Sequence, residues 1–289
     1  MLNNILEVKN LTKMYNPSCG IKDISFSLKS GEIVGFLGKN GAGKTTTIKL
    51  IMNLLQKDQG EIKIFGKDHY TYEKEIKKKT GFVYDQLYYY SKETAVSVKK
   101  NMRRFYQNWD DDIFENYMKK FTLPYNRKIN ELSQGMKMKL GIAIALSHNA
   151  ELLIMDEPTS GLDPVVRNDL LEVLKRTIKK NRKKSLLFSS HITEDVQKIA
   201  DRIIIIAEGK IVENCNKRKL LNEYYFVEGK KSLLKDETNN VFINIKENKG
   251  KFKGLTNKLD KVFDYLEKDK IEIKKADFDD ILINIIEGV

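Results

Sequence analysis

Ile33-Val34-Gly35-Phe36-Leu37-Gly38-Lys39-Asn40-Gly41-Ala42-Gly43-Lys44-Thr45 is the stretch on which the fold of this 289-residue chain turns. It opens with an apolar run of strand length, continues with a fit to G-x-x-x-x-G-K-[ST], and leads into a helix-like stretch, Lys44 to Leu55. Strand, glycine loop and helix in that order are the context in which this motif cradles phosphate. The glycines let backbone N–H groups curl around phosphate oxygens, and the helix N-terminus adds partial positive charge. The reading places ATP at Gly38, Asn40, Gly41, Ala42, Gly43, Lys44, Thr45 and Thr46. Lys44 reaches the β- and γ-phosphates, and the Thr45 hydroxyl ligates Mg²⁺.

Outward from this loop, short apolar runs alternate with helix-like stretches, the pattern of an α/β domain. Leu152 to Met155, Leu186 to Ser189 and Ile203 to Ile206 read as further buried strands, with helices at Val165 to Lys180 and Thr193 to Ile199. Segments near Leu6 to Val8, Ile24 to Leu28 and Glu61 to Phe65 read as an antiparallel sheet beside this core. From about Ser91 to Asn149 the chain is rich in Lys, Met and aromatics in amphipathic stretches, which predicts a helical insertion. After about Lys217 a small α+β module is expected, with strands at Val241 to Ile245 and Ile271 to Ile273 and a helix at Asn257 to Leu266. The expected organisation is a main unit over 1–216, its helical part about 91–149, and an accessory domain over 217–289.

Hydrophobic residues make up 41% of the chain and charged ones 32%, an ordinary globular balance. The formal net charge of +12 comes mostly from lysine spread along the sequence. Its densest run, Lys175 to Lys184, suits a solvated helix end better than a nucleic-acid patch, so no nucleic-acid partner is expected. The two cysteines, Cys19 and Cys215, have no metal-ligand companions, which points to a reducing compartment. No signal-like N-terminus and no apolar run near 20 residues is present, so a cytoplasmic chain is expected, with any membrane span supplied by another protein.

Leu152-Leu153-Ile154-Met155-Asp156-Glu157 ends a buried strand on two carboxylates. At a sheet edge facing the phosphate loop, Asp156 is placed to hold Mg²⁺ and Glu157 to act as general base on the attacking water. Leu132-Ser133-Gln134-Gly135-Met136 precedes a helical run and lies 23 positions before Asp156. Alone, Ser133 is an ordinary N-cap, as is Asp163 before Pro164. At this offset the pentapeptide resembles the signature motif of ABC transporter ATPases. Asp163, in Ser160-Gly161-Leu162-Asp163, matches that family's D-loop, and His191, in Ser189-Ser190-His191, its switch histidine. Tyr15 stands where the family places an aromatic against adenine. The resemblance runs over about residues 5 to 215.

It implies a RecA-like phosphate-loop NTPase core with an antiparallel β subdomain, and a site completed by a second cassette. Ser133, Gln134 and Gly135 would contact the γ-phosphate bound to the opposite subunit, and His191 would orient the attacking water. The family usually has a Gln after the strand near Gly81 to Tyr84; here Asp85 stands there with Gln86 next, and either can approach Mg²⁺. Acidic residues at this place occur among ABC-2-type exporter ATPases, which the Ser-Gln-Gly-Met signature also resembles. Beyond it, Tyr88-Tyr89-Tyr90 falls where the family docks its permease. The function the resemblance implies is therefore an ATPase driving an integral membrane permease of an ABC-2-type exporter, of peptides or antimicrobials, from the cytoplasmic face, as a homodimer or a heterodimer with a related chain. An importer ATPase and a soluble ABC protein acting on ribosomes or DNA are the alternatives.

Overall fold

The computed structural model describes residues 4–84 and 92–288. Asp85, Gln86 and Tyr88 to Tyr90 lie outside the described residues.

The chain opens with a long hairpin, β1 (Asn4–Asn16) and β2 (Cys19–Lys29), and then β3 (Ile33–Leu37) runs into the glycine loop and α1 (Lys44–Ile51). Strands β4 (Gln59–Ile64) and β5 (Lys67–Asp68), helix α2 (Glu73–Lys79) and strand β6 (Thr80–Val83) follow. Helices α3 (Ala95–Phe105), α4 (Asp111–Lys120) and α5 (Gln134–Leu146) make up the expected helical insertion. Trp109 packs within it, its ring 5.4 Å from that of Phe114. The chain returns through β7 (Leu152–Met155), α6 (Pro164–Lys180), β8 (Ser185–Ser190), α7 (Thr193–Ile199), β9 (Arg202–Ala207) and β10 (Lys210–Asn216). The last part holds α8 (Lys217–Glu223), β11 (Tyr225–Lys230), β12 (Asn244–Asn248), β13 (Lys251–Thr256), α9 (Leu259–Val262), β14 (Ile271–Lys275) and α10 (Phe278–Glu287).

Three sheets result, in the orders β2-β1-β4-β5, β10-β9-β3-β8-β7-β6 and β12-β13-β11-β14. In the central sheet all neighbours from β9 to β6 are parallel, and β10 closes one edge antiparallel. Its inner strands β3, β7 and β9 are almost wholly apolar because both faces are covered, and successive side chains divide between two cores. Val34, Phe36, Leu152, Ile154, Leu187, Ile204 and Ile206 join α1 and the β1–β2–β4 sheet on one side. Ile33, Leu37, Leu153, Met155, Leu186, Phe188, Ile203 and Ile205 join the helical side on the other. Parallel order brings the carboxyl ends of β3, β7 and β8 to one edge, where α/β sheets place their sites.

Helix α1 stops at Ile51 rather than Leu55. Asn53 takes a left-handed conformation, φ 54°, and Leu54 N–H turns back to the Lys49 carbonyl at 2.8 Å. The final part departs further from expectation. The strand expected at Val241 to Ile245 begins only at Asn244, after a 3-10 segment Asp236–Val241. The helix expected over Asn257 to Leu266 is α-helical only at Leu259–Val262, because i→i+3 bonds such as Phe263 N–H to Asp260 tighten the rest. Strands β5, β10, β11 and β13 and helices α2, α8 and α10 have no counterpart among the expected elements. Helix α10 nevertheless shows a clear pattern: Asp277 caps it by accepting from Asp280 N–H, and Phe278, Ile281, Leu282 and Ile285 face inward. They share one continuous core with Val196, Ile199 and Ala200 of the α7 segment.

Candidate functional site

The loop between β3 and α1 is shaped by contacts only glycine permits. A Cβ on Gly38 would lie 2.4 Å from the Ile206 carbonyl oxygen. Gly43 sits at φ 110°, where a Cβ would also meet Ile21 at 2.6 Å. Gly209 N–H donates to the Ala42 carbonyl at 3.0 Å, tying the loop to the turn after β9. Inside the loop Lys44 is 4% exposed, and its Nζ donates to the Gly38 and Lys39 carbonyls at 2.7 and 3.2 Å. Glu157 Oε1 lies 3.2 Å from the same nitrogen, so the buried cation is neutralised.

The two carboxylates leave β7 in different directions. Asp156 is buried, its N–H donating to the Val83 carbonyl at 2.9 Å. Glu157 turns at φ 50°, a left-handed conformation that costs a non-glycine residue about 1–3 kcal/mol. Ser189, fully buried at the end of β8, secures both residues. Its hydroxyl donates to Asp156 Oδ1 at 2.5 Å and accepts from Glu157 N–H at 2.9 Å. The Glu157 side chain then spans the site, with Oε2 2.7 Å from His191 Nδ1. A cavity of about 310 Å³ is lined by Asn40, Gly41, Gly43, Lys44, Thr45, Thr46, Glu157, Ser160 and His191. A larger one, about 580 Å³, opens at Asn53–Lys57 and Asp68–Tyr70 and holds none of the expected site residues.

Thr45 at the cavity and buried Asp156 offer hydroxyl and carboxylate oxygens. Such hard donors suit Mg²⁺, which takes one or two protein oxygens and fills its octahedron with water and phosphate. Asp85 and Gln86 lie outside the described residues. Tyr15 sits on β1, 56% exposed, and does not line the cavity.

Ser133, Gln134, Gly135 and Asp163 do not line it either. Ser133 caps α5, accepting from Met136 N–H at 3.2 Å, and Asp163 caps α6, accepting from Val165 and Val166 N–H. Ser133, Gln134 and Asp163 are exposed, and the two caps are neighbours: a Cβ on Gly135 would lie 3.3 Å from Leu162 Cδ2. One chain therefore presents a phosphate cavity and, separately, an exposed surface combining a helix N-terminus with the loop before α6. Ser189 and Ser160 are the site residues that sequence reasoning missed. Ser189 had a signal, lying two places before His191, but nothing local tells that it reaches Asp156 and Glu157.

A family model described as ABC transporter matches residues 21–160. The bacitracin transport ATP-binding protein BcrA of Bacillus licheniformis is 34% identical over 214 residues, covering 73% of this chain and 70% of that protein. The linearmycin resistance ATP-binding protein LnrL of Bacillus subtilis (strain 168) is 37% identical over 218 residues, covering 72% and 68%. Among solved structures, the ATP-binding subunit of an ABC transporter superposes with a TM-score of 0.68 at 27% identity, covering 75% of this chain and 91% of that one. The cassette MJ0796, solved as a dimer in a post-hydrolysis state with ADP and Pi, superposes with a TM-score of 0.66 at 25% identity, covering 74% and 99%. Among the described residues no helix is long and apolar enough to cross a membrane.

Proposed function

This chain belongs to the ATP-binding proteins of ABC transporters, and from that premise we propose that it is the ATPase of an ABC-2-type exporter that moves peptides or antimicrobials. Two cassettes close on two ATP molecules, each clamped between one chain's phosphate loop and the other's Ser133–Gly135. The supporting observation is the separation within one chain of the Lys44–Glu157–His191 cavity from the exposed Ser133 and Asp163 caps. An anion site at a helix N-terminus, outside the lining of the chain's own phosphate cavity, would have its use in a second copy. The exporter reading rests on the relatives, whose names specify bacitracin transport, linearmycin resistance and SkfA peptide export. The permease would hold the chain at the cytoplasmic face of the membrane. Residues 1–216 would form the cassette and 217–289 an accessory domain.

In the proposed reaction, loop N–H groups and Lys44 receive the β- and γ-phosphates, and Lys44 exchanges its contacts with Glu157 for phosphate oxygens. Glu157 then accepts a proton from water as the water oxygen bonds to the γ-phosphorus and the bond to the β-phosphate oxygen breaks. His191 donates to the γ-phosphate and holds the line of attack. Mg²⁺, held by Thr45 and Asp156, would neutralise charge on the phosphate oxygens.

Complementation tests the composite site. Lys44→Ala destroys the phosphate loop and Ser133→Arg the signature surface, so each variant alone should be nearly inactive. Mixed, they can form a heterodimer with one intact site, and ATPase activity should rise well above either alone. No recovery on mixing would refute a site shared between chains. Co-purification in detergent with a membrane protein carrying an exporter's substrate path tests the remainder.

A further inference from the structure

Asp195, on the first turn of α7, is fully buried and forms the junction of a polar network outside the cavity. One carboxylate oxygen accepts from the Thr159 hydroxyl, itself 1% exposed. The other accepts from Arg167 Nε at 2.5 Å, and Arg167 continues to Glu194 Oε2 at 2.6 Å. A carboxylate withdrawn from water in this way is stable only with its partners in place, unlike an exposed ion pair that swings freely.

Each partner belongs to a different part of the machinery. Thr159 lies between Glu157 and Ser160, both in the cavity wall, and its carbonyl accepts from Leu162 N–H at 3.2 Å. Arg167 stands on the first turn of α6, where its backbone N–H donates to the carbonyl of the cap Asp163 at 2.9 Å, so its guanidinium ties Asp195 to the helix start that Asp163 caps. Asp195 is four residues beyond His191, on the helix that His191 introduces. One buried group thus connects the helix after the cavity histidine, the wall that carries Glu157, and the exposed helix start at Asp163.

We propose that Asp195 is a positioning residue that makes His191 and the Asp163 loop move as one body, coupling γ-phosphate contact in one ATP site to the state of the other. The inference rests on the two-cassette reading above. Coupling of this kind needs two sites joined by an element both of them bias, and the Asp195–Thr159–Arg167 network supplies it. Its consequence is cooperativity in ATP, and no contribution to nucleotide affinity within one chain.

The test compares Thr159→Val, which removes only the hydroxyl, with Thr159→Ser, which keeps it, and adds Asp195→Asn. ATPase rate is followed against ATP concentration, and binding of a fluorescent ATP analogue is measured on the same proteins under dilute, monomeric conditions. Thr159→Val and Asp195→Asn should lower kcat and bring the Hill coefficient from above one toward one, with analogue affinity unchanged; Thr159→Ser should behave as wild type. A hyperbolic wild-type response, or wild-type cooperativity in both Thr159→Val and Asp195→Asn, would overturn the proposal. So would a loss of rate that matches the loss of folded protein by circular dichroism. The Lys44→Ala and Ser133→Arg mixture, run alongside, separates the two ideas. Failure to complement sinks the shared site itself; complementation with both Thr159→Val and Asp195→Asn unaffected sinks only the coupling role of Asp195.

Discussion

His191 Nδ1 lies 2.7 Å from Glu157 Oε2, while the other oxygen of the same carboxylate lies 3.2 Å from Lys44 Nζ. The proposed base is thus engaged on both sides by the groups assigned to the γ-phosphate. In the proposed reaction, incoming phosphate would compete for Lys44 and His191, and its arrival would free Glu157 to accept a proton. Readiness for hydrolysis would then be linked to occupancy of the site.

Replacing Glu157 with Gln keeps the side chain's length and removes its basicity. Turnover should fall by about 10²–10⁴-fold, the usual contribution of a positioned general base. Binding should survive, because the loop N–H groups and Lys44 are untouched. Phosphate release and binding of a fluorescent ATP analogue measure the two separately, and near-normal phosphate release would remove Glu157 from its role.

Acid should weaken the fold through His148. This residue is 2% exposed, stacked on Tyr106 at 3.9 Å, with ring nitrogens 3.2 and 3.3 Å from the Ile144 and Thr80 carbonyls. Burial pushes its pKa below the ordinary 6.5, although both carbonyls pull the other way. Above about pH 6.5 the ring is neutral in folded and unfolded chains alike and has no effect. As pH falls below that value the unfolded chain takes up a proton that the folded chain resists, so stability drops toward the folded pKa. The melting temperature of His148→Gln should therefore decline less steeply than that of wild type between about pH 6.5 and 5. Some slope should remain, because burial lowers the pKa of His69 too. Equal slopes would count against the assignment.

Ile281 of α10 is fully buried in the core it shares with Val196 and Ile199. Truncation to Ala should cost about 2–5 kcal/mol, the range for large-to-small changes in packed interiors. Because that core is continuous, calorimetry should show one transition moving down as a whole. A separate early transition for residues 217–288, with the remainder melting as before, would contradict a shared core.

Lys44, Asp156 and Glu157 could be read directly from the chain because their chemistry is written in contiguous runs: a glycine loop with its lysine, and an apolar strand ending in acids. His191, Ser133 and Asp163 could be located only through their order and spacing. Ser189 and Asp195 could not be found that way. Ser189 meets Asp156 33 positions away and Asp195 meets Thr159 36 positions away, and no local pattern records either meeting. The final 70 or so residues are the least legible, because short strands such as Lys251–Thr256 alternate lysine with small and apolar residues and, besides their hairpin neighbour, pair with segments well away in sequence such as Tyr225–Lys230.

The sequence by itself determined the phosphate loop, since Gly38 and Gly43 stand where a side chain would collide or the backbone be strained. It also determined the doubly covered sheet, because unbroken apolar strands have to bury both faces. Only the tertiary structure decided that Glu157 would stand between Lys44 and His191, and that Ser133 and Asp163 would be exposed outside that cavity's lining. The first of these follows from sheet order: β8 lies between β3 and β7, which sets His191 beside both the loop and the carboxylates. Strand neighbours are chosen by the packing of the whole core rather than by adjacent residues.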